Sequence, residues 1–452
     1  MENEKYFKEA PVWKAIFMMA VPSVVIILVM ILYNLADMFF IAMLEDTVQV
    51  AAISLVGPVF SIMAAVATMV GNGGCTVIAG AFGAKEIEKG KIYASLSIWF
   101  TILTGVLATV LLLAGTDPML RFLGTTQDAW EPAREYYQVL IAGFTFMLLA
   151  NTLAMLVRAE GAVKESLIGN LLGTVINIVL DPIFILSLGL GASGAALATV
   201  IGNGASALYF LWFIGRKAKV MSLDPRLAWK NPAALKKILA IGLPNGIGSI
   251  LSGFASTFSN QLLAVYGSGA IAAMAAAGKG IMIDDYLIMA ICMGCQALMA
   301  YSFGAGDFRR LREIMRKLLL VLFIVGTAVM ILCLAFRQEM IGMFLKEEAA
   351  AELGVSMMEI LIWNSPLIGI GYLITNYFQA ANRPVQALII SVLRQGALLI
   401  PLLYLMNFFW DMWGVVAANV VSCVLATGVA LLMYWKNRKK IRKLPQKFDK
   451  NE

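Results

Sequence analysis

Twelve runs of predominantly apolar residues constrain this chain more than any motif in it. They lie at about 15–43, 50–78, 92–115, 136–157, 166–188, 192–215, 238–266, 270–302, 318–336, 355–379, 386–409 and 412–435. A hydrocarbon core ~30 Å thick is crossed by ~20 apolar residues in an α-helix. A chain inside it must satisfy its own backbone donors and acceptors, and these runs are too long and too evenly apolar for barrel strands. The expected fold class is therefore an all-α polytopic membrane protein with twelve transmembrane helices. Composition agrees: 60% of the 452 residues are hydrophobic and 14% are charged, against roughly 25% charged in soluble domains.

Several chemistries fall away at once. The chain has no histidine, so His-ligated metals, His-based triads and His proton relays are excluded. Cys75, Cys292, Cys295, Cys333 and Cys423 all lie inside apolar runs. The Cys292-x-x-Cys295 spacing is half of a metal or redox motif without its other half, and reads as helix packing. No nucleotide-binding fingerprint is present, so ATP hydrolysis is not the expected energy source. Residues 1–14 lack a cleavage-site pattern, so the first run is expected to be retained as a signal anchor.

The net charge of +7 does not point to nucleic acid, because the basic residues follow a topological pattern. Of the 35 Lys and Arg, 29 fall in alternate connectors and the termini, and only Arg121, Arg134, Arg337 and Lys346 fall in the other connectors. Lys279 and Arg394 lie within runs. The basic side faces the cytoplasm, so both termini are expected there and the protein in the plasma (inner) membrane. The connector 216–237 divides a six-helix lobe, 1–215, from a second, 238–436. The tail 437–452 is basic and suited to anionic lipid.

The two lobes echo one another. Ala15-Ile-Phe-Met-Met-Ala-Val-Pro22 resembles Ile238-Leu-Ala-Ile-Gly-Leu-Pro244, and Gly80-Ala-Phe-Gly-Ala-Lys-Glu86 resembles Tyr301-Ser-Phe-Gly-Ala-Gly-Asp307. Arg158-Ala-Glu-Gly-Ala matches Gln379-Ala-Ala-Asn-Arg, and Gly194-Ala-Ala-Leu-Ala198 matches Gly414-Val-Val-Ala-Ala418. Six spans per lobe preserve orientation, so the repeat is parallel and two pseudo-symmetric six-helix bundles are expected, with a cavity between them.

Polar residues inside the runs mark the working parts. Asp181 sits in hydrocarbon-compatible sequence, where an unpaired carboxylate costs several kcal/mol. Asn177 is one helical turn before it on the same face, and Pro182 removes a backbone donor beside it. Asp37 ends the first run, with Tyr33 and Asn34 a turn earlier. Counted at ~1.5 Å per residue, Asp37, Asp181 and Thr199 all lie about 10 Å below the outer surface. That common depth predicts one pocket in the first lobe.

The Val21-Pro22 opening, Tyr33-Asn-Leu-Ala-Asp37, Phe82-Gly83-Ala84 with Phe303-Gly304-Ala305, Asn177-x-x-x-Asp181-Pro182 and Gly194-Ala-Ala-Leu-Ala-Thr199 together resemble the multidrug and toxic compound extrusion (MATE) family of secondary transporters. The resemblance covers essentially the whole chain. It implies two six-helix bundles arranged as a V, and export of lipophilic organic cations in exchange for protons or sodium. In it, Asp37 and Asp181 match the acids of the coupling-ion site, and Tyr33, Asn177 and Thr199 match its hydrogen-bonding shell. Protonation from outside would neutralise the acids, shift the first helix, already weakened at Pro22, and expel a cation. No cofactor is expected beyond the coupling ion, no enzymatic activity, and no oligomer beyond a working monomer. The alternatives are a flippase for lipid-linked precursors from the same superfamily, or a membrane-embedded enzyme.

The second lobe departs from the family pattern. Asp284 and Asp285 lie in the eighth run, with Lys279 above them and Arg394 at similar depth in the eleventh. They form either a structural ion-pair cluster or an acid facing the cavity. Met and aromatic residues suit soft, flat cations, and Asn34, Asn203, Trp363, Tyr372 and Tyr377 are candidate cavity residues.

Overall fold

The computed structural model describes residues 7–42, 47–125, 127–345 and 347–441. Among the described residues every regular element is a helix. In chain order these are α1 Val12–Ala42, α2 Thr47–Gly83, α3 Ile87–Ala114, α4 Thr116–Phe122, α5 Trp130–Ala142, α6 Phe144–Leu156, α7 Val163–Pro182, α8 Gly191–Arg216 and α9 Pro225–Lys230. They continue with α10 Ala234–Ala264, α11 Ser268–Gly304, α12 Phe308–Ala335, α13 Arg337–Gly342, α14 Glu348–Leu361, α15 Ser365–Ala380, α16 Pro384–Val392 and α17 Leu399–Ile441.

Ten helical segments are long and apolar enough to cross a bilayer, and the bent pair Trp130–Ala142 and Phe144–Glu160 makes an eleventh. One of the ten, Pro384–Asn437, holds 54 residues; that is ~80 Å of helix, far more than one crossing. It is interrupted where Trp410 and Asp411 leave helical geometry (Asp411 φ 48°). The apolar runs 386–409 and 412–435 fall on either side, so this segment crosses twice and the described spans number twelve. The chain is a multi-pass membrane protein. Its outward faces fit that environment. Leu103, Val110 and Leu111 on α3 and Ile324, Ile331 and Leu332 on α12 are all exposed, and on each helix they line up at helical spacing.

The fourth crossing of each repeat departs from regular α-helix partway along. In the first, α5 and α6 meet at 50°, and a Cβ at the joint, Gly143, would strike Val200 at 2.1 Å. In the second, a 3₁₀ turn at Ile362–Asn364 separates α14 from α15, with Pro366 in the first turn of α15. The corners match as well. Backbone φ is positive at Lys85 and Gly306, at Gly161 and Asn382, and at Gly189 and Asp411. Glycine and short polar residues tolerate that conformation best, and the partners in each pair recur one repeat apart.

Contacts divide the chain into two compact units. The first holds 1–7 and 21–242, the second 8–20 and 243–452. Both boundaries fall inside a first helix, within two residues of its proline, Pro22 in α1 and Pro244 in α10. The opening part of α1 thus packs within the second unit: Cys295 Sγ approaches the Ile16 carbonyl at 3.9 Å, and Arg310 Nη2 donates to the Ala10 carbonyl at 2.8 Å. The opening part of α10 packs within the first unit. There a Cβ on Gly73 would lie 2.0 Å from the Ile238 carbonyl oxygen, and one on Gly242 1.7 Å from that of Met69. Only glycines allow two helices so close. The first unit's core gathers Val56, Tyr137, Phe144 and Met147; the second's gathers Leu263, Met357, Leu361 and Leu403.

Candidate functional site

The helix α7 carries its acid at its last full turn. Pro182 cannot donate a backbone hydrogen bond, and the chain continues through a π-helical turn, Ile183–Ser187. Such turns place an extra residue in the ladder and recur at functional sites. Asp181 is wholly buried and Asn177 is 3% exposed. In the hydrocarbon layer a carboxylate so placed must be protonated, hydrogen-bonded or joined by a cation.

The spacing of Asn177 and Asp181 puts their side chains in contact. With its amide nitrogen toward the acid, Asn177 donates to Asp181 Oδ2 at 3.1 Å, and its oxygen accepts from the Thr199 backbone nitrogen at 2.9 Å and from Thr199 Oγ1 at 3.3 Å. The opposite orientation would set the amide oxygen against a carboxylate oxygen, so the neighbours assign this one. Tyr33 of α1 places its hydroxyl 3.1 Å from Thr199 Oγ1. Since the Thr199 proton is committed to Asn177, the tyrosine donates. The result is a directed line from Tyr33 through Thr199 and Asn177 to Asp181, drawn from three helices. Asn203 joins from α8 by donating to the Thr199 carbonyl at 2.9 Å. The side chains of Asn34 and Asp37 lie outside the described residues.

Two glycines make this line possible. A Cβ on Gly173 would lie 2.7 Å from the Gly202 carbonyl oxygen, and one on Gly202 would lie 2.6 Å from that of Gly173. With α7 and α8 backbone to backbone, short side chains such as Asn177 and Thr199 can reach each other.

The second unit arranges its charges differently from a paired cluster. Among the described residues no ion pair within 4.0 Å involves Asp284, Asp285, Arg394 or Lys279. Lys279 Nζ lies 5.3 Å from the Phe344 ring centre. Asp284 is 4% exposed, and its Oδ1 is buried without a hydrogen-bond partner. Asp285, a ~100° step further round the helix, is near enough to Arg394 to feel its charge but forms no ion pair with it within 4.0 Å. Arg394 lies over the Tyr372 ring, 3.9 Å from its centre.

The remaining candidate cavity residues are dispersed. Trp363 is 60% exposed and, with Trp413 and Glu359, lines a cavity of about 600 Å³. Tyr377 is buried, receives a 3.4 Å hydrogen bond from Asn437 Nδ2 and packs edge-on against Tyr434. The five cysteines are buried and unbridged. Among the described residues no three His, Cys, Asp or Glu side chains converge as a metal site.

One buried carboxylate escaped the sequence reading. Glu160, after α6, accepts from the backbone nitrogens of Lys219 (3.0 Å) and Met221 (2.9 Å), and from that of Val220 between them. Nearby, Ser95 Oγ donates to the Asp224 carbonyl at 2.7 Å and Trp99 Nε1 to that of Leu223 at 3.0 Å. The connector between the repeats is thereby strapped to α3 and the end of α6.

Helices that cross a bilayer in two related sets, one of them holding a buried acid behind a proline, define a multi-pass transporter fold. The MatE family model matches the chain twice, over residues 22–183 and 244–405, and the chain belongs to that family. It is similar to "Multidrug export protein MepA" of Staphylococcus aureus (strain N315), 31% identical over 443 residues and 98% of each chain. It is also similar to the protein of that name from Staphylococcus saprophyticus, 28% identical over 98% of each. Among solved structures, a MATE crystal structure in complex with MaL6 aligns with a TM-score of 0.92 at 25% identity, covering 98% of this chain and 100% of that one. An outward-facing multidrug resistance MATE family transporter aligns at 0.90 and 24% identity, over 98% and 99%.

Proposed function

We propose that this protein is a multidrug exporter: a secondary antiporter that expels lipophilic organic cations in exchange for protons or sodium. The observation that carries the reading is the buried line Tyr33–Thr199–Asn177–Asp181. Its carboxylate is the one charged group in that line, and it sits beside a proline and a π turn, where a change of charge has backbone to move. The MepA relatives, named for multidrug export, support the same assignment. Asymmetric basic residues support a plasma-membrane location with both termini in the cytoplasm.

In this reading the ionised Asp181 accepts a hydrogen bond from Asn177 and attracts a positive charge. A proton taken up from the outer side neutralises it; the acid then no longer attracts a cation, and the hydrogen bond it accepts from Asn177 loses its charge assistance. Sodium could instead be held by the carboxylate with hydroxyl and amide oxygens. Either event alters how α1, through Tyr33, is held against α7 and α8. The coupling free energy is the difference in affinity of the two states for the ion.

The test is extrusion of a fluorescent cation by the purified protein in liposomes under a pH gradient without sodium. Wild type is compared with Asp181→Asn and Asp37→Asn. The expected result is gradient-driven flux in wild type and at least a tenfold loss in Asp181→Asn with folding intact. Flux that needs a sodium gradient changes the ion and keeps the site. Undiminished flux in Asp181→Asn overturns the assignment.

A further inference from the structure

The guanidinium of Arg394 is an unusual occupant of the second unit's interior. It lies 3.9 Å from the centre of the Tyr372 ring, no carboxylate pairs with it within 4.0 Å, and its Nη1 is buried without a hydrogen-bond partner. The Oδ1 atoms of Asp284 and Asp285 are likewise buried without partners. A cation within hydrocarbon normally pairs or hydrogen-bonds fully; here the aromatic face supplies the nearest compensation.

Its backbone and side chain are held differently. Arg394 belongs to a π-helical turn, Leu393–Ala397, and Ser422 Oγ donates to its carbonyl at 3.3 Å. The backbone is pinned, whereas the guanidinium rests on a ring. Across from its side chain stands Gly371, where an added Cβ would come 4.0 Å from Arg394 Cδ. Asp285, Tyr372 and Arg394 are each only half-buried. Asp285 senses the charge of Arg394 without closing an ion pair on it.

We propose that Tyr372 and Asp285 form a cation-binding place in the second unit, occupied at rest by the chain's own Arg394, which a flat lipophilic monocation displaces. Arg394 presents what such a ligand presents: a planar, delocalised positive charge that stacks on an aromatic face. The ligand would take the ring by stacking and the carboxylate by charge. Arg394 thereby sets a threshold, since only a cation that stacks better than a guanidinium gains entry, and small hydrated ions gain nothing from the ring. The proposal rests on the cation-export reading and adds where, and by what competition, substrate is admitted.

The experiment is equilibrium binding of ethidium to the full-length protein in detergent, read by fluorescence anisotropy. Wild type is compared with Arg394→Met, Tyr372→Leu and the double variant. Removing the tethered competitor should tighten binding about tenfold, and Tyr372→Leu should weaken it by a similar factor in either background. Unchanged or weaker binding by Arg394→Met, or a gain that survives Tyr372→Leu, overturns the proposal. Should Arg394→Met fail to fold, Tyr372→Leu decides alone: about tenfold weaker binding supports the place, and an unchanged Kd overturns it. Cation flux in liposomes separates the two readings. Wild-type flux with binding indifferent to these substitutions removes the place and keeps export, whereas neither flux nor saturable binding in wild type removes both.

Discussion

Asn177 has no freedom in how it points its amide, because a carboxylate stands on one side and a hydroxyl and backbone N–H on the other. That fixed polarity lets four side chains act as one line, and its spacing could be read directly: four residues on a helix bring Asn177 to Asp181. Thr199 was legible through depth alone. Other single residues were not, because their partners are remote in sequence. Lys279 and Arg394 promise salt bridges to Asp284 and Asp285 on charge, yet settle on the Phe344 and Tyr372 rings. Glu160 finds three amides about sixty residues downstream. Its removal gives a prediction at this scale. Glu160→Ala leaves those amides without their acceptor, at roughly 1–3 kcal/mol for each that water does not reach. Hydrogen exchange at Lys219, Val220 and Met221 should accelerate at least tenfold, with Glu160→Gln intermediate because it keeps an acceptor oxygen. Unchanged exchange at those three amides would show that the strap does not depend on this carboxylate.

At the level of helices, the apolar runs locate nearly every crossing, since a membrane segment is specified by length and apolarity rather than by periodicity. Direction is harder to read. The 136–157 run is predominantly apolar throughout but bends by 50° at Gly143, where Val200 of another helix leaves no room for a Cβ. The break at Trp410–Asp411, by contrast, falls in the gap between the runs 386–409 and 412–435. Backbone contact between α7 and α8 at Gly173 and Gly202 is also a pairwise property, visible only once both helices are placed. It is the most fragile part of the site. Gly202→Val would press its side chain into the Gly173 carbonyl oxygen and Asn177 Cβ, which a bare Cβ already meets at 2.6 and 3.1 Å. Overpacking of this kind costs about 1–3 kcal/mol. A lower melting temperature together with loss of gradient-driven flux is expected; retention of full flux would mean that Asn177 and Thr199 need not stay in register.

Across the whole molecule, the repeat seen in short sequence echoes extends to the corners, where positive φ recurs at matched positions, and to the irregular turn within each fourth crossing. What short echoes do not convey is the exchange of the first helices' opening parts: 8–20 belong with the second unit and 21–242 with the first. Severing the connector should therefore not give two independent pieces. Fragments 1–215 and 216–452 expressed together should copurify through a tag on either one, while each alone should be degraded; accumulation of either fragment alone as a monodisperse species would contradict this.

The same exchange sets a schedule for synthesis. Residues 8–20 leave the ribosome first, but their partners at Cys295 and Arg310 follow ~300 residues later, on the order of 15–60 s at ~5–20 residues per second. Through that interval residues 8–20 lack these partners, so the opening part of the first helix can dock there only after the helices that carry them have been made.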